Sequence, residues 1–115
     1  MEKNLSIALV GLGFGADFIP IYINHPLVKK LTIFDINIEV LEEVGNRFEL
    51  ANKAKSFEEI LEDKSIDAVH LVTPIPLHAK QTIDVFQSGK HCACTVPMAT
   101  SIKDLLEILK AQKKS

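Results

Sequence analysis

Arginine is nearly absent from this sequence: Arg47 stands alone, and every other basic charge is a lysine. A nucleic-acid or anionic-membrane partner needs a concentrated basic face, and neither is expected here. No apolar run approaches the roughly 18 residues of a membrane span. The N-terminus, MEKNLSIALVGLG, has one lysine and then an apolar stretch broken by glycines, without the small-residue cleavage site of a secretory signal. Cysteine is scarce too, with Cys92 and Cys94 the only two. With no targeting segment, that points to a reducing, cytoplasmic setting. Short-period repeats, low-complexity tracts and an interdomain linker are all missing. What remains is an ordinary globular composition, 47% hydrophobic and 24% charged over 115 residues, with 13 basic and 15 acidic residues and a net charge of −2. That length suits one domain with one core.

Short β-like runs alternate with helix-like ones. Residues 5–10 (LSIALV) form a continuous apolar run ending in glycines, as expected of a strand covered on both faces. Residues 31–35, 66–72 and 91–95 are further strands, and a short, weak one is expected near Ala54-Lys55. Val40, Leu41, Val44 and Phe48 repeat at the spacing of one buried helix face, as do Ile102, Leu105, Leu106 and Leu109, while Ala79, Ile83 and Phe86 mark another helix. Ser101 and Asp104 suit the start of the last helix, and Lys110, Lys113 and Lys114 its negative end. Pro20 shortens or kinks the helix after the first glycines. The alternation implies a doubly wound parallel sheet of five strands, order 3-2-1-4-5, with helices on both faces.

The first strand runs into Gly11-Leu12-Gly13-Phe14-Gly15-Ala16, which fits G-x-G-x-x-A. Gly11 permits the tight turn, Gly13 lets the backbone approach a pyrophosphate, and Ala16 lets the helix pack on the strand. The helix N-terminus adds free N–H groups and the positive end of its dipole. A glycine triplet alone is weak, but this one follows a strand and opens a helix, and Asp35 follows at the end of the second strand, about 20 residues on. A carboxylate there accepts from ribose hydroxyls and repels a 2′-phosphate, and Ile36-Asn37-Ile38 supplies no cation, so NAD is expected in preference to NADP. The plainer alternative is that Asp35 caps the helix that follows it. Residues 1–115 thus read as one Rossmann-type NAD(P)-binding domain.

The third long strand ends in Thr73-Pro74-Ile75-Pro76-Leu77-His78 and the last in Cys94-Thr95-Val96-Pro97-Met98-Ala99. Both loops belong at the carboxyl ends of the strands, beside the glycine turn. The blocks Val10-Gly11-Leu12-Gly13, Asp67-Ala68-Val69, Thr73-Pro74-x-x-x-His78, Gly89-Lys90-His91 and Pro97-Met98-Ala99, in this order and spacing, resemble the N-terminal domain of the glucose–fructose oxidoreductase/inositol dehydrogenase (Gfo/Idh/MocA) family. The resemblance runs from residue 5 to about residue 109. It implies an NAD-dependent, dehydrogenase-like domain of an oxidoreductase acting on a sugar- or polyol-like CH–OH or ketone. It also places Thr73 and Pro74 beside the nicotinamide half of the cofactor, with His78 close behind. The expected cofactor-binding residues are Gly11, Gly13, Phe14, Gly15, Asp35, Thr73, Pro74, His78 and Thr95. The loop at Thr95-Val96-Pro97 corresponds to the family's Glu-Lys-Pro signature, but Thr95 and Val96 replace its glutamate and lysine. No catalytic residue is therefore expected in this chain. The family's C-terminal α/β domain, which supplies most substrate contacts, is expected to be absent from it, so a small-molecule substrate would be met only through that domain.

Other features carry less. Cys92 and Cys94 beside His91 do not make a four-ligand metal site, and cysteine here reads as a small apolar residue. His70 is expected to be structural and His25 to end a helix. The acidic run 57–63 reads as a solvated helix face. A second class of function stays open: a non-catalytic nucleotide- or coenzyme A-binding, sensing module built on the same glycine turn. A vestigial nucleotide site is a third. An uncovered apolar face would make the chain a homo-oligomer.

Overall fold

Alternate residues of the first strand feed two separate apolar layers. The computed structural model describes residues 4–115. Strand β1 (Leu5–Val10) is buried from Ser6 to Val10. It lies between β2 (Val28–Phe34) and β3 (Ala68–Leu71), and β4 (His91–Cys94) flanks β3. All pairings are parallel and the order is β2-β1-β3-β4. Because side chains alternate across a strand, Ile7 and Leu9 point to one core with Leu31 and Ile33, while Ala8 and Val10 point to the other with Val69 and Leu71.

Four strands form where five were expected. The segment near Ala54-Lys55 makes only one parallel bridge, Ile33 to Lys53, flanked by Ile33 N–H donating to the Asn52 carbonyl and Ala54 N–H to the Ile33 carbonyl. It sits outside β2, in the place of the strand expected there. Between Leu50 and Phe57 only Ala51 and Ala54 are apolar, too little burial to offset the entropy of ordering a longer strand. The other four strands keep the expected relative order.

The first core is closed by α1 (Ile19–Asn24) through Ile19 and by α2 (Ile38–Arg47) through Leu41 and Val44. One 3₁₀ turn, Gly15–Phe18, leads into α1, and Pro20 falls in its first turn, where no donor is required. The second core is closed by α3 (Phe57–Glu62) through Ile60 and by α4 (His78–Gln87) through Val85. Asn37, Ser56 and Ser101 each cap a helix by accepting from backbone amides two or three residues on.

Two helices face otherwise than their apolar spacing suggests. On α4 the fully buried line is His78, Thr82 and Val85, while Ile83 and Phe86 turn towards the groove against α5 (Ile102–Lys114). On α5 the buried residues are Ile108 and Ala111. Ile102, Leu105, Leu106 and Leu109, expected to be its buried stripe, are exposed. The helix packs on α4 through the neighbouring stripe, and no described element covers the leucines. At the amino-terminal end of the sheet, buried Lys90 donates through Nζ to the carbonyls of Asp63 and Ile66. Among the described residues no helix is long and apolar enough to cross a membrane.

Candidate functional site

The carboxyl ends of β1, β2 and β3 open onto a cavity of about 1000 Å³. That is the upper end of the size usual for small-molecule and cofactor sites. Its walls include Gly11, Gly13 and Phe14 of the first turn, Asp35 and Ile36 after β2, Lys55 to Glu58 at the start of α3, and Thr73, Pro74, Lys80, Gln81 and Asp84 from β3 onwards.

The glycines of the turn do different things. Gly11 has φ +94°, and a Cβ there would lie 2.4 Å from the Val72 carbonyl oxygen, so no side chain fits. A Cβ on Gly15 would meet the Val72 side chain at 3.3 Å, so Gly15 seats the turn on the end of β3. Gly13 is the opposite case, with no atom within 4 Å of its Cβ position although it lines the cavity. Its missing side chain leaves room for something that approaches the backbone.

Asp35 ties this turn to β2. Leu12 N–H donates to its Oδ2 at 2.8 Å and Asn37 N–H to its Oδ1 at 2.8 Å. Helix α2 is capped by Asn37, whose side chain accepts from Glu39 and Val40, so Asp35 is not the cap of that helix. Each carboxylate oxygen keeps acceptor capacity beyond these single bonds, and the residue lines the cavity. Ile36 and Ile38, on the same wall, are 93% and 63% exposed and bring no charge.

Of the nine residues singled out from the sequence, six line the cavity: Gly11, Gly13, Phe14, Asp35, Thr73 and Pro74. Gly15 lies beneath the turn. His78 is 1% exposed and stands behind the wall. Its Nε2 is 2.6 Å from the Thr73 carbonyl and its Nδ1 2.7 Å from the Pro97 carbonyl. Thr95 donates to the Leu71 carbonyl at 3.4 Å and lies 3.5 Å from His78 Nε2. Thr73 Oγ1 donates to Gln81 Oε1 at 2.6 Å, which anchors the wall to α4. Phe57, Gln81 and the Lys80–Asp84 pair, with N···O at 2.9 Å, were not anticipated from sequence. Their only signal is position, since each sits in the first turns of a helix that follows a strand end.

Elsewhere, His70 packs edge-on against Phe18 and shares a 2.7 Å hydrogen bond between its Nδ1 and the Tyr22 hydroxyl. Burial lowers its pKa. Burial pushes the Cys92 thiol up to about 11 and raises Cys94 as well. Among the described residues no group of three or more His, Cys, Asp or Glu side chains is placed to hold a metal ion.

A parallel doubly wound sheet with a glycine turn, an open cradle at Gly13 and a carboxylate at the end of β2 defines a dinucleotide-binding α/β domain. The chain belongs to the Gfo/Idh/MocA oxidoreductase family, whose NAD-binding Rossmann-fold model matches residues 5–115. It is similar to levoglucosan dehydrogenase of Pseudarthrobacter phenanthrenivorans, 32% identical over 107 residues, covering 84% of this chain and 27% of that protein. It is likewise similar to inositol 2-dehydrogenase of Rhodococcus jostii, 30% identical over 115 residues, covering 96% of this chain and 31% of that protein. Among solved structures, the WlbA dehydrogenase of Bordetella pertussis, in complex with NADH and UDP-GlcNAcA, superposes with a TM-score of 0.87 at 29% identity, covering 99% of this chain and 33% of that one. The chain thus spans about a third of the length of these relatives.

Proposed function

We propose that this domain binds NAD(H) in preference to NADP(H), as the cofactor-holding part of an oxidoreductase acting on a hydroxyl or ketone of a sugar- or polyol-like molecule. The single observation that carries the cofactor reading is the pairing of the Gly13 cradle with Asp35 across one cavity. When bound, the cofactor supplies hydride chemistry, and the residues of this chain bind and orient it. Gly11 and Gly13 admit the pyrophosphate to the turn, and Asp35 accepts from ribose hydroxyls with the acceptor capacity that Leu12 and Asn37 leave free. Selectivity against a 2′-phosphate follows from the same carboxylate and from the uncharged Ile36 and Ile38 beside it. Thr73, Pro74 and Thr95 form the nicotinamide end, with Gly15 and His78 supporting the walls and Phe14 bordering the turn.

The substrate class is supported by the relatives, a levoglucosan and an inositol dehydrogenase. Val96, 89% exposed and apolar, can neither polarise a substrate oxygen nor move a proton. The residues of this chain therefore bind cofactor without a complete catalytic set. Titration of the protein into NADH and into NADPH, followed by nicotinamide fluorescence, tests the reading. Saturable NADH binding at least about tenfold tighter than NADPH is expected, one charge-assisted contact being worth that much. Equal affinities would overturn the selectivity, and coenzyme A binding in place of both would favour a non-catalytic module.

A further inference from the structure

The cation that residues 36–38 do not supply stands one segment further out. Ile33 of β2 pairs with Lys53 in a parallel bridge. Paired segments lie about 4.8 Å apart, and residues two positions on return to the same face. Carried two residues beyond the bridge, that register sets Lys55 beside Asp35, and both line the cavity. The chain then turns into α3, where Ser56 is the cap and Lys55 N–H donates to Glu59 Oε2 at 3.4 Å.

The charged residues of the cavity wall are Asp35, Lys55, Glu58, Lys80 and Asp84. Lys80 is engaged by Asp84, with N···O at 2.9 Å. Lys55 is exposed and, among the described residues, forms no ion pair with Asp35, Glu58 or any other carboxylate. It is the lining cation left for an anionic ligand. We propose that Lys55 is a specificity-determining residue, which meets the 2′-phosphate of NADP(H) beside Asp35 and limits how strongly the site rejects that nucleotide. The proposal rests on the cofactor reading above. A 2′-phosphate placed against Asp35 also lies beside Lys55, because the register sets the two residues side by side. Asp35 and Glu58 repel it, while the Lys55 ammonium, a compact charge with three donors on a flexible stem, attracts it. Asp35 is held by two backbone amides at 2.8 Å, whereas exposed Lys55 gives up side-chain freedom to pair, so repulsion outweighs attraction. NAD(H) brings only hydroxyls to this place, and Lys55 leaves its affinity nearly unchanged.

Nicotinamide fluorescence titrations with NADH and NADPH on wild type, Lys55→Gln, Asp35→Asn and the double variant test this. Lys55→Gln alters an exposed side chain, so its result does not hinge on folding. It is expected to weaken NADPH about fivefold, the upper end for an exposed ion pair, and to leave NADH within about twofold. In Asp35→Asn, NADPH binding tightens, and the loss on adding Lys55→Gln persists. Raising salt erodes the Lys55-dependent difference, because exposed charges are screened; a merely structural role would not respond in that way. An NADPH affinity indifferent to Lys55→Gln overturns the proposal, as do equal losses for NADH and NADPH, or NADPH binding absent even in Asp35→Asn. If these results come with saturable NADH binding in wild type, the cofactor reading stands and Lys55 alone is misassigned. Wild type that binds neither nucleotide overturns both.

Discussion

The Leu12 amide donates to the Asp35 carboxylate across 2.8 Å, joining the glycine turn after β1 to the end of β2. The carboxylate proposed to meet a ribose thus also holds the backbone of the glycine turn. The proposed role and the structural one are coupled, because a substitution at Asp35 would remove the proposed ribose acceptor and free the turn at once.

Gly11 and Gly13 separate folding from binding. Gly11→Ala forces a side chain into φ +94° and onto the Val72 carbonyl. A loss of about 3 kcal/mol in unfolding free energy is expected, from backbone strain plus overpacking. Gly13→Ala meets open space, so its stability stays within about 1 kcal/mol of wild type, while NADH affinity falls at least about tenfold. Denaturant melts alongside NADH titrations read both effects. Similar melting losses in the two variants would contradict the assignment.

His70 predicts a pH dependence of stability with a definite sign. Burial lowers its pKa, so the unfolded chain binds the proton more readily than the folded one. Its contribution is fully present above the unfolded value of about 6.5 and is lost as pH falls through the lowered folded value. His70→Gln keeps a hydrogen-bonding side chain beside Tyr22 and does not titrate. Urea melts from pH 5 to 8 are expected to show a shallower slope in the variant than in wild type, and identical slopes would refute this.

Cys92 is predicted to be a poor nucleophile. With its thiol pushed up to about 11, the thiolate fraction at pH 7.5 is about a hundredfold below that of an ordinary cysteine. Iodoacetamide should label it that much more slowly in native protein than in urea. Equal rates would show that the thiol is neither buried nor suppressed.

Much of this was legible in the residues because local pattern and tertiary demand agree. The run Leu5–Val10 is apolar at every position except Ser6, and a strand covered on both faces is the only element that uses it whole. Gly11 is required by a backbone contact that a tight turn always creates. Ser101 was readable as a cap, and its side chain accepts from Asp104 N–H. The leucines of α5 were not readable, since periodicity shows that a helix has an apolar stripe but not whether a neighbour covers it. Ile108 and Ala111 took the contact with α4 instead. The strand near Ala54 shrank to one bridge for want of apolar residues. The cavity wall from Phe57 and Gln81 depends on elements brought together only by the fold. His78 was read as part of the site, yet it is buried, and one of its two carbonyl contacts is to Pro97, in a loop 19 residues away.

The most direct test of the central claim is calorimetric titration of wild type and Asp35→Ala with NAD, NADH, NADP and coenzyme A. Wild type should bind NAD and NADH saturably and NADP at least about tenfold more weakly. Asp35→Ala should lose about tenfold or more for NAD, in line with a charge-assisted hydrogen bond, and should narrow the gap to NADP. NAD binding that is unchanged in Asp35→Ala, or wild-type protein that binds no nicotinamide nucleotide, would contradict the account.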